Sequence, residues 1–435
     1  MPRRWFVVAS VLLLPAVVGA QSHSNGHADP VASVVLGLAV ILIAAKLAGH
    51  LAVRIGQPAV LGELLAGVAL GSADLLGLQW FHAFETDASI DMLSRIGVVI
   101  LLFEVGLEST VRDMLKVGLP SLAVAVLGVV APFALGWGMS ALLLPDRSVY
   151  VHAFIGATLT ATSVGITARV LRDLGRSTSR EARIILGAAV IDDVLGLVIL
   201  SIVAGVIAAA NAGGTMSYGM VGLILVKAAG FLIGSLVLGL YLSPRVFRLA
   251  SRLGGQGVLL STALAFCFGL AYLASVIGLA PIVGAYAAGL ILEDVHFEDF
   301  QNRGEQQLEH LVQPISTFLV PIFFVVMGMR VDLAVFGQLD VLGLAGLLTV
   351  AAIVGKQVCS FGAGRGVDRL SVGIGMVPRG EVGLIFANIG LGLTLNGSAV
   401  VDGAVFSALV IMVIATTMVT PPVLKWSLSR PQHGT

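Results

Sequence analysis

Charged residues are scarce in this sequence: Asp, Glu, Lys and Arg make up 11% of its 435 residues, while 57% are hydrophobic. A water-soluble domain carries about a quarter charged residues, so this composition belongs to a membrane protein. An excess of positive charge is missing too. The formal net charge is zero, which excludes the basic face that nucleic-acid binding needs. Cysteine is nearly absent. Cys267 and Cys359 both fall in apolar runs and read as small buried hydrophobes, not as a disulfide or metal framework. No Walker-type or dinucleotide-type glycine motif sits at a strand–helix junction, so neither a driving nucleotide nor a cofactor is expected.

Glycine, by contrast, is abundant. Its 53 residues are scattered through apolar segments, where they let helices pack closely. Residues 1–20 have the form of a signal peptide: Arg3 and Arg4 precede an apolar run over 5–18 and a small-residue cleavage site at 18–20. At about 20 apolar residues per span, about thirteen transmembrane helices follow. They cover 31–53, 58–76, 90–109, 117–144, 150–173, 182–209, 217–242, 256–276, 280–293, 307–330, 340–363, 371–395 and 399–425. The expectation is an all-α membrane unit over 21–430 and a short cytoplasmic tail over 426–435. Arg and Lys cluster in alternate loops, and the opposite loops hold only Arg147 and Arg330. By the positive-inside rule the mature N-terminus is then periplasmic and the C-terminus cytoplasmic.

The chain repeats itself. Ile55-Gly56, Gly62 and Ala66-Gly67 match Ile277-Gly278, Gly284 and Ala288-Gly289 at one offset, which also pairs Gly106 with Gly328. A slightly shorter offset pairs Ser163-Val164-Gly165-Ile166 with Glu381-Val382-Gly383-Leu384. By helix count the two copies enter the membrane from opposite sides. Such inverted-topology repeats build many secondary transporters, with the site near the midplane where the repeats meet.

Ionisable groups deep in lipid mark function. Asp192 and Asp193 lie mid-span and point about 100° apart on their helix. One can face an aqueous cavity and the other a neighbouring helix. Lys356 lies at similar depth in its own span and can neutralise one of them. Two spans look interrupted. One reads TLTATSVGIT over 158–167, and the other places Val377-Pro378-Arg379-Gly380-Glu381 inside apolar sequence. Broken helices in matching repeat positions point to a transport site. The half-helix ends leave partial charges that Glu381 and Arg379 can compensate. A hard monovalent cation needs oxygen ligands, and Asp192, Asp193, Thr162 and Ser163 can supply them.

The strings ATSVGITARVL (161–171), ILGAAVIDDVLGL (185–197), IGLAPIVGA (277–285) and GMVPRGEVGLI (375–385) resemble the monovalent cation:proton antiporter-2 family, in particular NapA-type bacterial sodium/proton antiporters. The resemblance runs from about Val31 to Lys425. It implies two crossing broken helices, carrying Thr162 and Glu381, beside Asp193. It implies Asp193 as the main sodium ligand and an Asp192–Lys356 pair that opens when sodium binds. It also implies a homodimer, with dimerisation helices about 31–76 and 217–293 moving against ion-transport helices about 90–209 and 307–425. A nucleotide-binding domain found in related potassium-efflux members is not expected after Lys425.

The expected activity is therefore secondary exchange of protons for sodium or lithium by alternating access, carrying net charge, and not an enzymatic reaction. A potassium/proton or electroneutral exchanger on the same fold is the alternative. A passive channel would leave the central titratable triad without a use. An intramembrane aspartyl protease is a remote alternative, because adjacent aspartates on one helix cannot flank a scissile bond and no Gly-x-Gly-Asp string occurs.

Overall fold

The structure, a computed structural model, describes residues 30–73, 82–107, 118–176, 179–211, 218–253, 257–292, 307–331, 338–395 and 397–430. The expected signal peptide and the last five residues of the tail lie outside this set. The helices in chain order are α1 (Pro30–Arg54), α2 (Ala59–Gly71), the short α3 (His82–Thr86), α4 (Ala88–Leu107), α5 (Leu119–Leu143), α6 (Val149–Thr158), α7 (Val164–Asp173) and α8 (Arg180–Asn211). There follow α9 (Tyr218–Ala250), α10 (Val258–Ile277), α11 (Pro281–Ile291), α12 (Leu308–Met329), α13 (Leu339–Val358), α14 (Arg369–Gly375), α15 (Gly380–Leu391) and α16 (Gly403–Leu428). The fold is nearly all-helical, the exception being a two-stranded antiparallel hairpin, β1 (Thr394–Leu395) and β2 (Ser398–Ala399), between α15 and α16.

Among the described residues, seven helices are long and apolar enough to cross a membrane, against about thirteen spans read from the sequence. The physical reason for the smaller number is visible in the helices themselves. Four apolar ones have only 10 to 17 residues, and two of these belong to the interrupted spans. α4 carries Asp91, Arg95 and Glu104 within one span. The outer surface supports a lipid setting: Val35, Leu47, Leu51, Val226, Tyr241, Tyr272 and Val350 are all more exposed than buried, the reverse of a soluble surface.

The internal repeat is drawn in backbone contacts. α1 and α10 end alike, at Gly56 (φ 78) and Gly278 (φ 91), in the left-handed conformation open to glycine. Each end is closed by a 6→1 hydrogen bond of the Schellman type: Gln57 N–H donates to the Ala52 carbonyl and Leu279 N–H to the Ala274 carbonyl, both at 2.9 Å. Gly62 of α2 lies against the Ala48 backbone, and Gly284 of α11 lies against Leu270. Gly67 meets Val325 and Gly328 of α12, and Gly289 meets Phe103 and Gly106 of α4. Shifting one copy by the repeat offset reproduces the other set residue for residue. A pseudo-two-fold axis therefore relates α1–α4 to α10–α12, and no Cβ fits at these crossings.

Packing sorts the helices into two groups. In the first, α4 packs on α11 and α12, α2 on α1 and α12, and α10 on α11. In the second, α5 packs on α6, α8 and α13, while α16 packs on α13, α14 and α15. α9 touches both, through α8 and α11.

Candidate functional site

Both interruptions expected from the sequence are present, and they cross. α6 stops at Thr158 and α7 starts at Val164; α14 stops at Gly375 and α15 starts at Gly380. Ser163 N–H donates to the Pro378 carbonyl at 2.7 Å, and Thr167 Oγ1 to the Gly375 carbonyl at 2.6 Å. Thr162 Oγ1 makes a longer bond of 3.4 Å to the Met376 carbonyl. The carbonyls that Pro378 and the breaks leave without helical partners are thus taken up by the opposite break, which is how non-helical backbone survives in an apolar interior. Gly380 sits at φ 41 with its Cα against Ser163, so a side chain there meets both backbone strain and a clash.

Arg379 is buried and spans the site. It donates to the Ala161 carbonyl at 2.8 Å and to the Ala352 carbonyl of α13 at 3.1 Å. Ala161 follows the C-terminal end of α6, where a helix carries partial negative charge, so a cation belongs there. The expected compensating role of Arg379 has this geometry. Glu381 opens α15, but its side chain lies outside the described set.

α8 runs beside the crossing. Ile185 packs on Gly375, and a Cβ at Gly196 would lie 3.6 Å from the Phe386 ring and 3.9 Å from Thr160 Oγ1. Between them stand the two aspartates. Asp192 Oδ1 accepts from Lys356 Nζ at 2.9 Å, and both side chains have no exposed surface. Asp192 Oδ2 is buried with no hydrogen-bond partner among the described residues. Asp193 is half-buried. The adjacent positions thus differ as their 100° separation requires: one carboxylate turned into α13, the other not fully enclosed. Two carboxylates, Asp192 and Asp193, thus stand beside two basic side chains, Lys356 and Arg379.

Two cavities approach this crossing from one end of the bundle. The first, about 330 Å³, is lined by Gln57, Pro58, Ile166, Leu174, Pro421 and Lys425. The second, about 320 Å³, shares Pro58 and Ile166 with the first and reaches Ser163, Gly380 and Thr417. The first lies between the α1–α2 turn and α7 and α16, and the second between α2 and the same two helices of the second group.

Thr167 entered the sequence reading only as the end of the run 158–167, and Thr417 did not enter it. Thr417 Oγ1 accepts from Gly380 N–H at 3.4 Å. Its signal was faint, because Thr416 and Thr420 beside it merely bond their own helix. Glu104 of α4 accepts from Ser316 of α12.

Comparison with known proteins identifies the family and the fold. The family described as sodium/hydrogen exchanger, transmembrane, matches residues 38–429. A high-affinity Na(+)/H(+) antiporter of Synechocystis is 37% identical over 429 residues, covering 91% of this chain and 89% of that protein. The Na(+)/H(+)-K(+) antiporter GerN of Bacillus cereus is 37% identical over 396 residues, covering 90% and 95%. An Na(+)/H(+) antiporter of Enterococcus hirae is 31% identical over 398 residues, covering 89% and 96%. In fold, the solved sodium proton antiporter MjNhaP1 of Methanocaldococcus jannaschii superimposes with a TM-score of 0.67 at 16% identity, covering 91% and 97%. The chain belongs to the transmembrane sodium/hydrogen exchanger family.

Proposed function

We propose that this protein is a secondary sodium/proton antiporter of a bacterial inner membrane, exchanging periplasmic protons for cytoplasmic sodium or lithium. The observation that carries the reading is the buried Asp192–Lys356 pair beside Asp193 at the crossing of two broken helices. Asp193 is the main cation ligand, helped by Asp192 and by oxygens of Thr162 and Ser163. Sodium here is cargo, not a resident metal.

Electroneutrality supplies the coupling. In the sodium-free state Asp193 holds a proton, and sodium takes its place, because a cation entering a low-dielectric site leaves an excess positive charge unless a proton departs. If sodium draws Asp192 away from Lys356, the lysine is left as an uncompensated buried ammonium. Releasing its proton removes that cost. Together with the proton that sodium displaces from Asp193, two protons would then move against one sodium, and the cycle would carry charge.

The two cavities lie on the side of Lys425 and Leu174, which the positive-inside rule makes cytoplasmic. This is the geometry of an inward-facing state. The second helix group (α5–α8 and α13–α16) would carry the site, moving against the first group (α1–α4 and α10–α12). The dimerisation helices expected over 31–76 and 217–293 fall in or beside that first group, to which packing adds α4 and α12. The partner would be a second copy.

Potassium exchange remains the second reading, because the Bacillus cereus relative is named for sodium, proton and potassium. Everted vesicles with a pH-sensitive dye, pulsed with sodium, lithium and potassium, test both. Sodium-evoked dequenching supports the assignment. A response to potassium alone would move the cargo to potassium, and no response to any cation would overturn exchange.

A further inference from the structure

We infer that Arg330 and Asn388 form a latch that closes the periplasmic side of the transport path, with Asn388 as its moving half. This rests on the alternating-access reading above. Arg330 caps the C-terminal end of α12. Its guanidinium reaches two ways. One nitrogen donates to Asn388 Oδ1 of α15 at 2.6 Å, and another bonds Asp91 of α4. Asp91 is held in turn by Arg95, at 2.7 Å one helical turn along.

The partners fall on different bodies. Arg330, Asp91 and Arg95 all belong to the first helix group, whereas Asn388 belongs to the second. The bond to Asn388 therefore crosses the boundary that must open and close. Arg330 and Asp91 are only 20% and 24% exposed, so water competes weakly for the bond. The two cavities lie along the same boundary at the opposite end. One end is tied while the other is hollow.

The topology sharpens the point. Loops on the Arg330 side hold only one other basic residue, Arg147, and its ion pair is with Asp402 at the start of α16. That pair joins residues within the second group, so it survives a rigid-body movement. The Arg330–Asn388 bond does not. When the groups part on this side, Asp91 keeps Arg330 in place and Asn388 leaves with α15, close to the break that carries the ion site. Arg330 is thus a positioning residue for one conformation and touches no cargo.

The test has two arms, both with wild type assayed alongside. In the first, Asn388→Ala removes the acceptor and Asn388→Asp keeps it. Sodium-driven exchange is measured from each side, in everted and right-side-out vesicles. Loss of the latch lowers the inward-to-outward ratio by about tenfold. Apparent sodium affinity should then weaken from the cytoplasmic side and tighten from the periplasmic side, and Asn388→Asp should restore it. Equal changes on both sides would reduce the bond to a structural contact and overturn the latch. In the second arm, Arg330→Cys with Asn388→Cys, on a background of Cys267→Ala and Cys359→Ser, is bridged by a reducible bifunctional thiol reagent. Bridging should stop exchange and reduction should restore it. Undiminished exchange by the bridged protein would overturn the latch, whereas failure of wild type to exchange would overturn the functional reading instead.

Discussion

Replacing Lys356 with glutamine separates the charge-carrying part of the cycle from ion binding. Lys356 and Asp192 are joined by one 2.9 Å bond between side chains with no exposed surface, and the other Asp192 oxygen has no partner among the described residues. Removing one member of a buried pair costs about 3–5 kcal/mol when the survivor stays charged. Glutamine keeps much of the volume and can donate one hydrogen bond to Asp192, so packing is not the issue. Arg379 remains as a positive neighbour, but both of its hydrogen bonds go to carbonyls and not to Asp192. The variant should therefore lose thermal stability relative to wild type. In transport it has one titrating group fewer. Sodium should still exchange for a proton at Asp193, but with no net charge moved. Current on a solid-supported membrane reads this directly: a wild-type current on a sodium jump, and dye-detected exchange without current in Lys356→Gln. Full current in Lys356→Gln would refute the role of the lysine as second proton carrier. A wild-type protein that exchanges silently would refute charge movement altogether.

Asp193→Asn should abolish sodium-driven exchange if the half-buried carboxylate is the proposed cation ligand; retained exchange would move the site. Gly380→Ala forces a Cβ against Ser163 at φ 41, a strain of about 1–3 kcal/mol before the clash is counted, and should show as a lower melting temperature and a lower exchange rate. Gly289→Val places bulk where α11 and α4 backbones touch, so the folded yield in detergent should collapse, and Gly67→Val at the symmetry-related crossing should do the same. Apparent sodium affinity in dye assays should fall as pH falls, since protons and sodium compete for the same carboxylates.

Much of this was legible in the sequence because membrane interiors tolerate few exceptions. Asp192, Asp193 and Lys356 stood out as charges in apolar runs, and the buried pair forms between two of them. The broken helices announced themselves through Pro378, Gly380 and the threonine-rich run, since proline and hydroxyls interrupt a helical ladder. The repeat offset found in glycine spacing reappears as matched backbone contacts, because a glycine at a helix crossing cannot be replaced without separating the helices. What the sequence hid depends on distance in three dimensions. Arg330 and Asn388 are 58 positions apart, and neither residue type at a helix end signals a cross-boundary bond. Helix grouping was hidden as well: α4 and α12 read like core spans, yet they pack with α2 and α11 through the glycine crossings.

In the proposed cycle sodium and protons compete for the carboxylates at the crossing. Isothermal titration of sodium into the purified protein, in buffers of different ionisation enthalpy, counts the protons released per ion bound. Binding accompanied by proton release, and lost in Asp193→Asn, is the predicted result. Sodium binding with no proton released at any pH would contradict the account.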